Sequence, residues 1–191
     1  MTFYSYAREQ WQNPNDAMDK IWQQRLKEWR QEDRFTRIDR PTRLPKARSI
    51  GYKAKPGVVM VRSRIRKGGR IRPRFRGGRK PSSAGRVKYT PQKNHMGILE
   101  ERVSRKYPNL EVVGSYPVAK DGKQKWYEHV LIDPAHPAVQ NDDQLGELTE
   151  QRGRAHRGKT NAGRKSRGLQ HRGKGAEKMR PSNNANNSKA N

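Results

Sequence analysis

Asp133 and His136 come closest, by type and spacing, to a catalytic or metal-binding pair. They occur in the run Asp133-Pro134-Ala135-His136-Pro137, and a carboxylate beside an imidazole can transfer protons or hold a metal ion. Further side chains that could join them are Glu128, His129, Asp142 and Asp143. Their spacing matches no known catalytic or metal site, and the prolines favour a turn stabilised by side-chain to backbone hydrogen bonds. We therefore predict no catalytic residue, no metal site and no cofactor.

Other common chemical motifs are missing from the sequence. There is no Cys, so a disulfide, a thiolate zinc site and a cysteine nucleophile are excluded. Gly68-Gly69 and Gly77-Gly78 lack the spacing and the following helix of a phosphate-binding loop. The start of the chain lacks the pattern of a signal peptide, and the longest aliphatic run, Val58 to Val61, is too short for a membrane span. We expect a cytoplasmic protein without a membrane partner or a small-molecule substrate.

The charge of the chain is concentrated in two segments. The sixty residues from Arg40 to Leu99 contain nineteen Lys or Arg and no Asp or Glu, and residues 151 to 191 contain twelve basic residues and one acid. The formal net charge is +26. Repulsion on this scale opposes compaction unless a polyanion is bound, and nucleic acid supplies one negative charge per nucleotide. The charge pattern therefore predicts a nucleic-acid partner.

The spacing of the arginines indicates how this charge is presented. Arginines occupy every second position from Arg62 to Arg66 and again from Arg70 to Arg76. Residues two apart lie on nearly opposite faces of a helix, but they share one face of an extended chain at a spacing of about 6.6 Å. An extended, Gly-interrupted comb of arginines suits folded RNA better than the major groove of DNA, which is usually read by a helix. An architectural DNA-binding protein and, less favoured, an RNA-processing enzyme that uses Asp133 and His136 remain alternatives.

The candidate RNA-binding residues are the Lys and Arg side chains of the two basic segments. The first segment contributes Arg40, Arg43, Lys46, Arg48, Lys53, Lys55, Arg62, Arg64, Arg66, Lys67, Arg70, Arg72, Arg74, Arg76, Arg79, Lys80, Arg86 and Lys88. The second contributes Arg164, Lys165, Arg167, Arg172 and Lys174. Arg predominates over Lys in the set, which favours bidentate contacts with phosphates.

Hydrophobic periodicity predicts the elements that must position these residues. Helices are expected over Phe3 to Trp11, Pro14 to about Glu32 and Ile98 to Tyr107, and strands over Gly57 to Arg66, Leu110 to Val118 and Trp126 to Ile132. Asp121-Gly122 predicts a hairpin between the last two strands, which we place beside the first strand in one sheet. Leu110, Val112, Tyr116 and Val118 are expected on one face of their strand. The prolines at 41 and 45 predict an irregular segment over residues 40 to 48.

The predicted fold class is α+β, a small mostly antiparallel sheet with packed helices and long extended basic arms. Residues 1–150 are expected to form a single globular domain, which includes an extended basic arm at about 67–95. Residues 151–191 are predicted to be an extended basic C-terminal arm that ends in a mobile Asn-rich tail. Neither arm contains enough apolar residues to offset its own ordering entropy without a partner.

Four stretches of sequence together resemble the fifteen-e family of large-subunit ribosomal proteins. They are Ala47-Arg48-Ser49-Ile50-Gly51-Tyr52-Lys53-Ala54-Lys55, Arg66-Lys67-Gly68-Gly69-Arg70, Leu131-Ile132-Asp133-Pro134-Ala135-His136-Pro137-Ala138 and Ala162-Gly163-Arg164-Lys165-Ser166-Arg167-Gly168-Leu169. The resemblance implies a structural constituent of the large ribosomal subunit, with large-subunit rRNA and neighbouring ribosomal proteins as partners. It also implies rRNA contacts from Arg40 to Lys88 and from Arg164 to Lys174. The short C-terminal end is typical of the archaeal members.

Overall fold

The computed structural model describes residues 2–69, 77–78, 80–84, 91–170, 177–180, 185 and 187. Its helices are α1 (Phe3–Gln12), α2 (Asp16–Gln31), α3 (Leu44–Ser49), α4 (Pro81–Ala84), α5 (His95–Lys106), α6 (Pro137–Gln140), α7 (Gly146–Thr149) and α8 (Asn161–Ser166), and a 3-10 turn covers Glu177–Met179. Its strands are β1 (Phe35–Ile38), β2 (Val58–Arg66), β3 (Glu111–Lys120) and β4 (Gln124–Ile132). No helix within these ranges has the length and apolar character of a membrane span.

The four strands form one antiparallel sheet in the order β1-β2-β4-β3. Strand β2 pairs with β4 along its whole length, from Val58 opposite Ile132 to Arg66 opposite Gln124. The α+β class, the antiparallel sheet and the hairpin between β3 and β4 are confirmed. Edge strand β1 was not predicted, because four residues are too few to establish an alternating pattern.

Both faces of the sheet are covered, so the protein has two main apolar layers. On the first face, Met60, Tyr116 and Trp126 pack with Trp29 of α2 and Ala47 of α3. On the second face, Val61, Val112 and Leu131 pack with Val103 of α5 and with Ala155. The basic strand β2 is therefore a central, buried element, and only its end leaves the core.

The predicted common face for Val112, Tyr116 and Val118 is wrong. Val112 belongs to the second layer, whereas Tyr116 and Val118 belong to the first. The pairing of β3 with β4 shifts register between Val112 and Gly114. A bulge adds one residue to a strand, so the side chains beyond it point to the opposite face.

The segment predicted to be irregular contains helix α3. Pro45 lies in its first turn, where a residue needs no backbone N–H donor, so proline is tolerated there. The helix buries Ala47 against the first face of the sheet. A proline in the first turn of a short helix cannot be distinguished by sequence alone from a proline in a loop, and the irregular segment was predicted for that reason.

Contacts with the core continue well beyond residue 150. The backbone N–H of Gly153 donates to Glu111 at 2.7 Å, the Thr160 hydroxyl donates to Glu100 at 2.5 Å, and Ala155 and Ala162 are buried. The extended arm predicted from residue 151 is therefore wrong for residues 153 to about 167, which were too basic to suggest a core contribution. The division of the chain into a domain and an arm stays a prediction for the rest of the C terminus. The comb from Arg70 to Arg76 and the Asn-rich tail lie largely outside the described residues.

Candidate nucleic-acid interface

Asp133 and His136 stabilise a turn, as the sequence predicted. The Asp133 carboxylate accepts a hydrogen bond from the backbone N–H of Ala135 at 3.0 Å. The His136 Nδ1 atom accepts one from the N–H of Ala138 at 3.1 Å and caps helix α6. Both side chains therefore satisfy backbone donors at the end of β4 and the start of α6.

Glu128 and His129, two of the other candidate acid-base groups, form separate hydrogen bonds within the protein. The Glu128 carboxylate accepts hydrogen bonds from the Thr42 backbone N–H at 3.0 Å and from the Tyr116 hydroxyl at 2.5 Å, and burial raises its pKa. His129 is fully buried, its Nε2 atom lies 2.7 Å from the Ser63 hydroxyl, and burial lowers its pKa to about 3. The described residues contain no group of three His, Asp or Glu able to hold a metal ion.

Several of the predicted RNA-binding cations are instead paired inside the protein. Arg62 forms an ion pair with Glu32 at 2.5 Å. Lys53 and Lys55 both bind the Asp142 carboxylate, and their hydrogen bonds hold the pKa of Asp142 well below its ordinary value. Because these charges already have a counter-ion, they are poor candidates for phosphate contacts.

A second group of predicted cations packs on aromatic rings or on the backbone. Arg43 lies 4.8 Å over the Trp11 ring and Arg48 lies 5.4 Å over the Tyr4 ring. Backbone carbonyl oxygens accept hydrogen bonds from the side chains of Arg64, Lys67 and Arg167. These side chains remain charged, but their orientation is fixed by the fold.

A third group is exposed and has no side-chain partner among the residues that the structure describes: Arg40, Lys46, Arg66, Lys80, Arg164 and Lys165. These are the predicted cations best placed to contact a polyanion. The remaining candidates, Arg70, Arg72, Arg74, Arg76, Arg79, Arg86, Lys88, Arg172 and Lys174, lie outside the described residues.

Two of the exposed cations from distant parts of the sequence meet at one groove. Arg66, at the end of β2, and Lys165, in α8, both line an open groove of about 1180 Å³ on the second face of the sheet. The described lining contains five Lys or Arg residues and one His, and it contains no acid. The end of β2 and the short helix α8 thus each place one cation of a basic segment on the same surface.

Three further cations line this groove that were not among the predicted RNA-binding residues: Lys93, Arg102 and Lys125. Lys93 forms an ion pair with Glu101 at 2.5 Å. Arg102 has no acidic partner among the described residues, and burial lowers its pKa, with a further contribution from the charges of Arg34 and Arg105. Lys125 lies opposite Ile65 in the β2–β4 pairing. Arg102 and Lys125 belong to residues 100 to 150, which carry more acidic than basic side chains. A search for basic segments therefore could not find them.

Comparison with known proteins identifies the class. The family model described as "Ribosomal L15" matches residues 2–186. The "large ribosomal subunit protein eL15" from each of two strains of Halobacterium salinarum is 50% identical over 187 residues, which cover 96% of this chain and 95% of the relative. The chain is a ribosomal protein of the large subunit.

More particularly, it belongs to the Ribosomal L15e family. The resemblance found in the four sequence stretches is thereby confirmed, and the two relatives are archaeal. The ribosomal location follows from the family.

Proposed function

We propose that this chain stabilises the large ribosomal subunit by binding folded large-subunit rRNA through exposed Arg and Lys side chains. The family gives the ribosomal role, and the charge pattern supports RNA as the direct partner. A chain with a formal net charge of +26 needs a dense counter-charge at close range, and rRNA is the polyanion of the ribosome.

The convergence of Arg66 and Lys165 on one acid-free groove is the observation that carries this proposal. The two residues belong to the two basic segments recognised in the sequence. Their side chains are exposed and unpaired within the described part of the chain. A surface on which unpaired cations collect without any acid favours contact with closely spaced phosphates.

The proposed contacts comprise the exposed cations together with the candidates outside the described residues. Arg40, Lys46, Lys80 and Arg164 supplement Arg66 and Lys165. Arg62, Lys53 and Lys55 are left out of the proposed contacts, because Arg62 pairs with Glu32 and the two lysines share the Asp142 carboxylate. Neighbouring ribosomal proteins are further proposed partners.

The salt dependence of binding to large-subunit rRNA tests the proposal. If about six to ten phosphates are contacted, the affinity of the full-length protein should fall by about three to five decades between 50 and 200 mM salt. Lys165→Gln should reduce the slope of log affinity against log salt by about one. Lys53→Gln, the matched control, should change that slope much less. A flat salt dependence, or equal competition by duplex DNA, would contradict the proposal.

The proposed role is not enzymatic, because Asp133 and His136 act on the turn that contains them. Prolonged incubation of rRNA with the protein and added divalent metal should leave the RNA intact. Cleavage that disappears in an Asp133→Asn, His136→Ala double variant would require an RNA-processing activity instead.

A further inference from the structure

The acid-free groove has an apolar floor as well as a cationic rim. Ile65 and Tyr127 project from the second face of the sheet, and Met96 and Ile98 of α5 pack against them. The floor is therefore built from aliphatic side chains and one aromatic ring. Ile65 and Tyr127 belong to a buried cluster with Leu99, and the parts of this cluster that line the groove can contact an apolar part of a bound molecule.

Tyr127 adds a polar group to this floor. Its side chain is largely buried, with 7% exposure. The hydroxyl has no hydrogen-bond partner among the described residues, and it remains accessible to solvent. The ordinary pKa of a tyrosine is about 10 and burial raises the pKa of Tyr127 further, so the hydroxyl is a hydrogen-bond donor at neutral pH. A buried tyrosine normally satisfies its hydroxyl, and here a bound molecule in the groove can do so.

The rim carries cations that have no counter-ion. Arg66, Arg102, Lys125 and Lys165 line the groove, and no described acid pairs with any of them. Arg102 is half-buried and is surrounded by further positive charge from Arg34 and Arg105. The rim is therefore suited to an anionic group on the molecule whose apolar part covers the floor.

We propose that this groove holds a single unpaired nucleotide of the bound RNA. The base covers Ile65, Met96 and Tyr127, the Tyr127 hydroxyl bonds to an edge of the base, and the rim cations contact the adjoining phosphate. This inference rests on the proposed function, since it names the part of the RNA that this surface recognises. Unstacked bases on aromatic and apolar side chains are the usual form of specific RNA recognition.

A nucleotide fits all three features of the groove at once. It combines a flat apolar face, polar edges and a phosphate within one unit. An acidic peptide would satisfy the rim cations and leave the floor and the Tyr127 hydroxyl unused. A regular RNA helix would present its phosphates and keep its bases stacked inside.

Methyl NMR of the full-length protein with ¹³C-labelled methionine tests the inference. Adenosine monophosphate is the probe, and ribose 5-phosphate at equal ionic strength is the control ligand without a base. The Met96 signal, assigned with Met96→Leu, should shift and saturate with adenosine monophosphate only. The Met60 signal should stay in place, because Met60 is buried in the layer on the other face of the sheet.

Two variants refine the test. Tyr127→Phe keeps the ring and should weaken binding of the nucleotide about fivefold, as expected for one lost hydrogen bond. Lys125→Gln should also weaken it, whereas Lys123→Gln, an exposed residue of the same hairpin, should leave it unchanged. An unmoved Met60 signal in each variant shows that the fold is intact.

Three results would overturn the inference: an unmoved Met96 signal, an equal shift with ribose 5-phosphate, or displacement of the nucleotide by an oligoglutamate peptide. If salt-dependent rRNA binding persists in that case, the proposed function stands and only the nucleotide site fails. If rRNA binding is absent as well, both fail.

Discussion

The guanidinium of Arg62 donates two hydrogen bonds to the carboxylate of Glu32, from Nε to Oε2 at 3.0 Å and from Nη2 to Oε1 at 2.5 Å. The same guanidinium lies 4.2 Å over the Trp29 ring. Glu32 is the C-cap residue that directly follows α2, so Arg62 links the end of that helix to the central strand β2. One arginine of the predicted RNA comb is thus a structural side chain.

Arg62→Gln should therefore destabilise the fold more than it weakens RNA binding. Loss of a partly buried ion pair that also stacks on Trp29 should lower the free energy of unfolding by about 1–3 kcal/mol. The measurement is urea unfolding followed by tryptophan fluorescence. The salt slope for rRNA binding should be unchanged.

Arg66→Gln is the matched control on the same strand. Arg66 is exposed and unpaired among the described residues, so its substitution should change the free energy of unfolding by no more than about 0.5 kcal/mol. The salt slope should fall by about one. If the two variants behaved alike, the distinction between paired and free arginines would be wrong.

Thr160→Val should loosen the docked C-terminal segment. The Thr160 hydroxyl donates to the buried Glu100 and also accepts from Gly163 N–H at the start of α8. Leaving the Glu100 acceptor and the helix cap unsatisfied should cost about 2–4 kcal/mol. Amide hydrogen exchange should accelerate at residues 153 to 168 before it does so in the sheet.

Thr160→Ser keeps the hydroxyl and should stay within about 1 kcal/mol of the unsubstituted protein. Fast exchange at residues 153 to 168 in the unsubstituted protein would contradict the docking. It would restore the extended arm that the sequence predicted from residue 151.

Acidification should weaken the fold through His129. Its pKa is lowered to about 3 in the folded state, against about 6.5 in an unfolded chain. The unfolded state therefore binds the proton more readily, and the stability contributed above pH 6.5 is lost as the pH falls toward 3. The slope should reach at most about 1.4 kcal/mol per pH unit.

The difference between the protein and its His129→Gln variant isolates this effect. Glu100 and Glu128 have raised pKa values because they are buried, so their protonation favours the folded state and opposes the loss. Both proteins contain them, and the difference in unfolding free energy should shrink steadily between pH 6.5 and 4. A pH-independent difference would show that His129 titrates normally.

Gly57→Ala should destabilise the junction between β2 and α6. Gly57 has φ +82°, and an added Cβ atom would lie 2.6 Å from Val139 Cγ2 and 2.9 Å from His136 Cβ. Strain and overpacking together should lower the free energy of unfolding by about 2–4 kcal/mol. Gly122→Ala, which meets nothing within 4 Å, should stay within about 1 kcal/mol. Thermal unfolding of the two variants measures these changes. Equal losses of stability in Gly57→Ala and Gly122→Ala would contradict the predicted clash at Gly57.

Local patterns were sufficient for the longer elements. Alternation over Val58 to Arg66 predicted β2, and the spacing of Leu99 and Val103 predicted α5, which begins earlier at His95 because Asn94 caps it. Strand β1, helix α3 and the bulge after Val112 escaped prediction. Each involves few residues, and each depends on packing against a sheet that forms from distant parts of the chain.

The sequence by itself determined the family and three of the four described strands, and it predicted a polyanionic partner, because motifs, hydrophobic period and net charge are properties of the chain. Only the tertiary structure decided which cations are available. Arg62 and Arg66 are alike in sequence, yet one faces Glu32 and Trp29 and the other faces an open groove with Lys165. The reason is that a charge is neutralised by its neighbours in space, and folding brings those neighbours from anywhere in the chain.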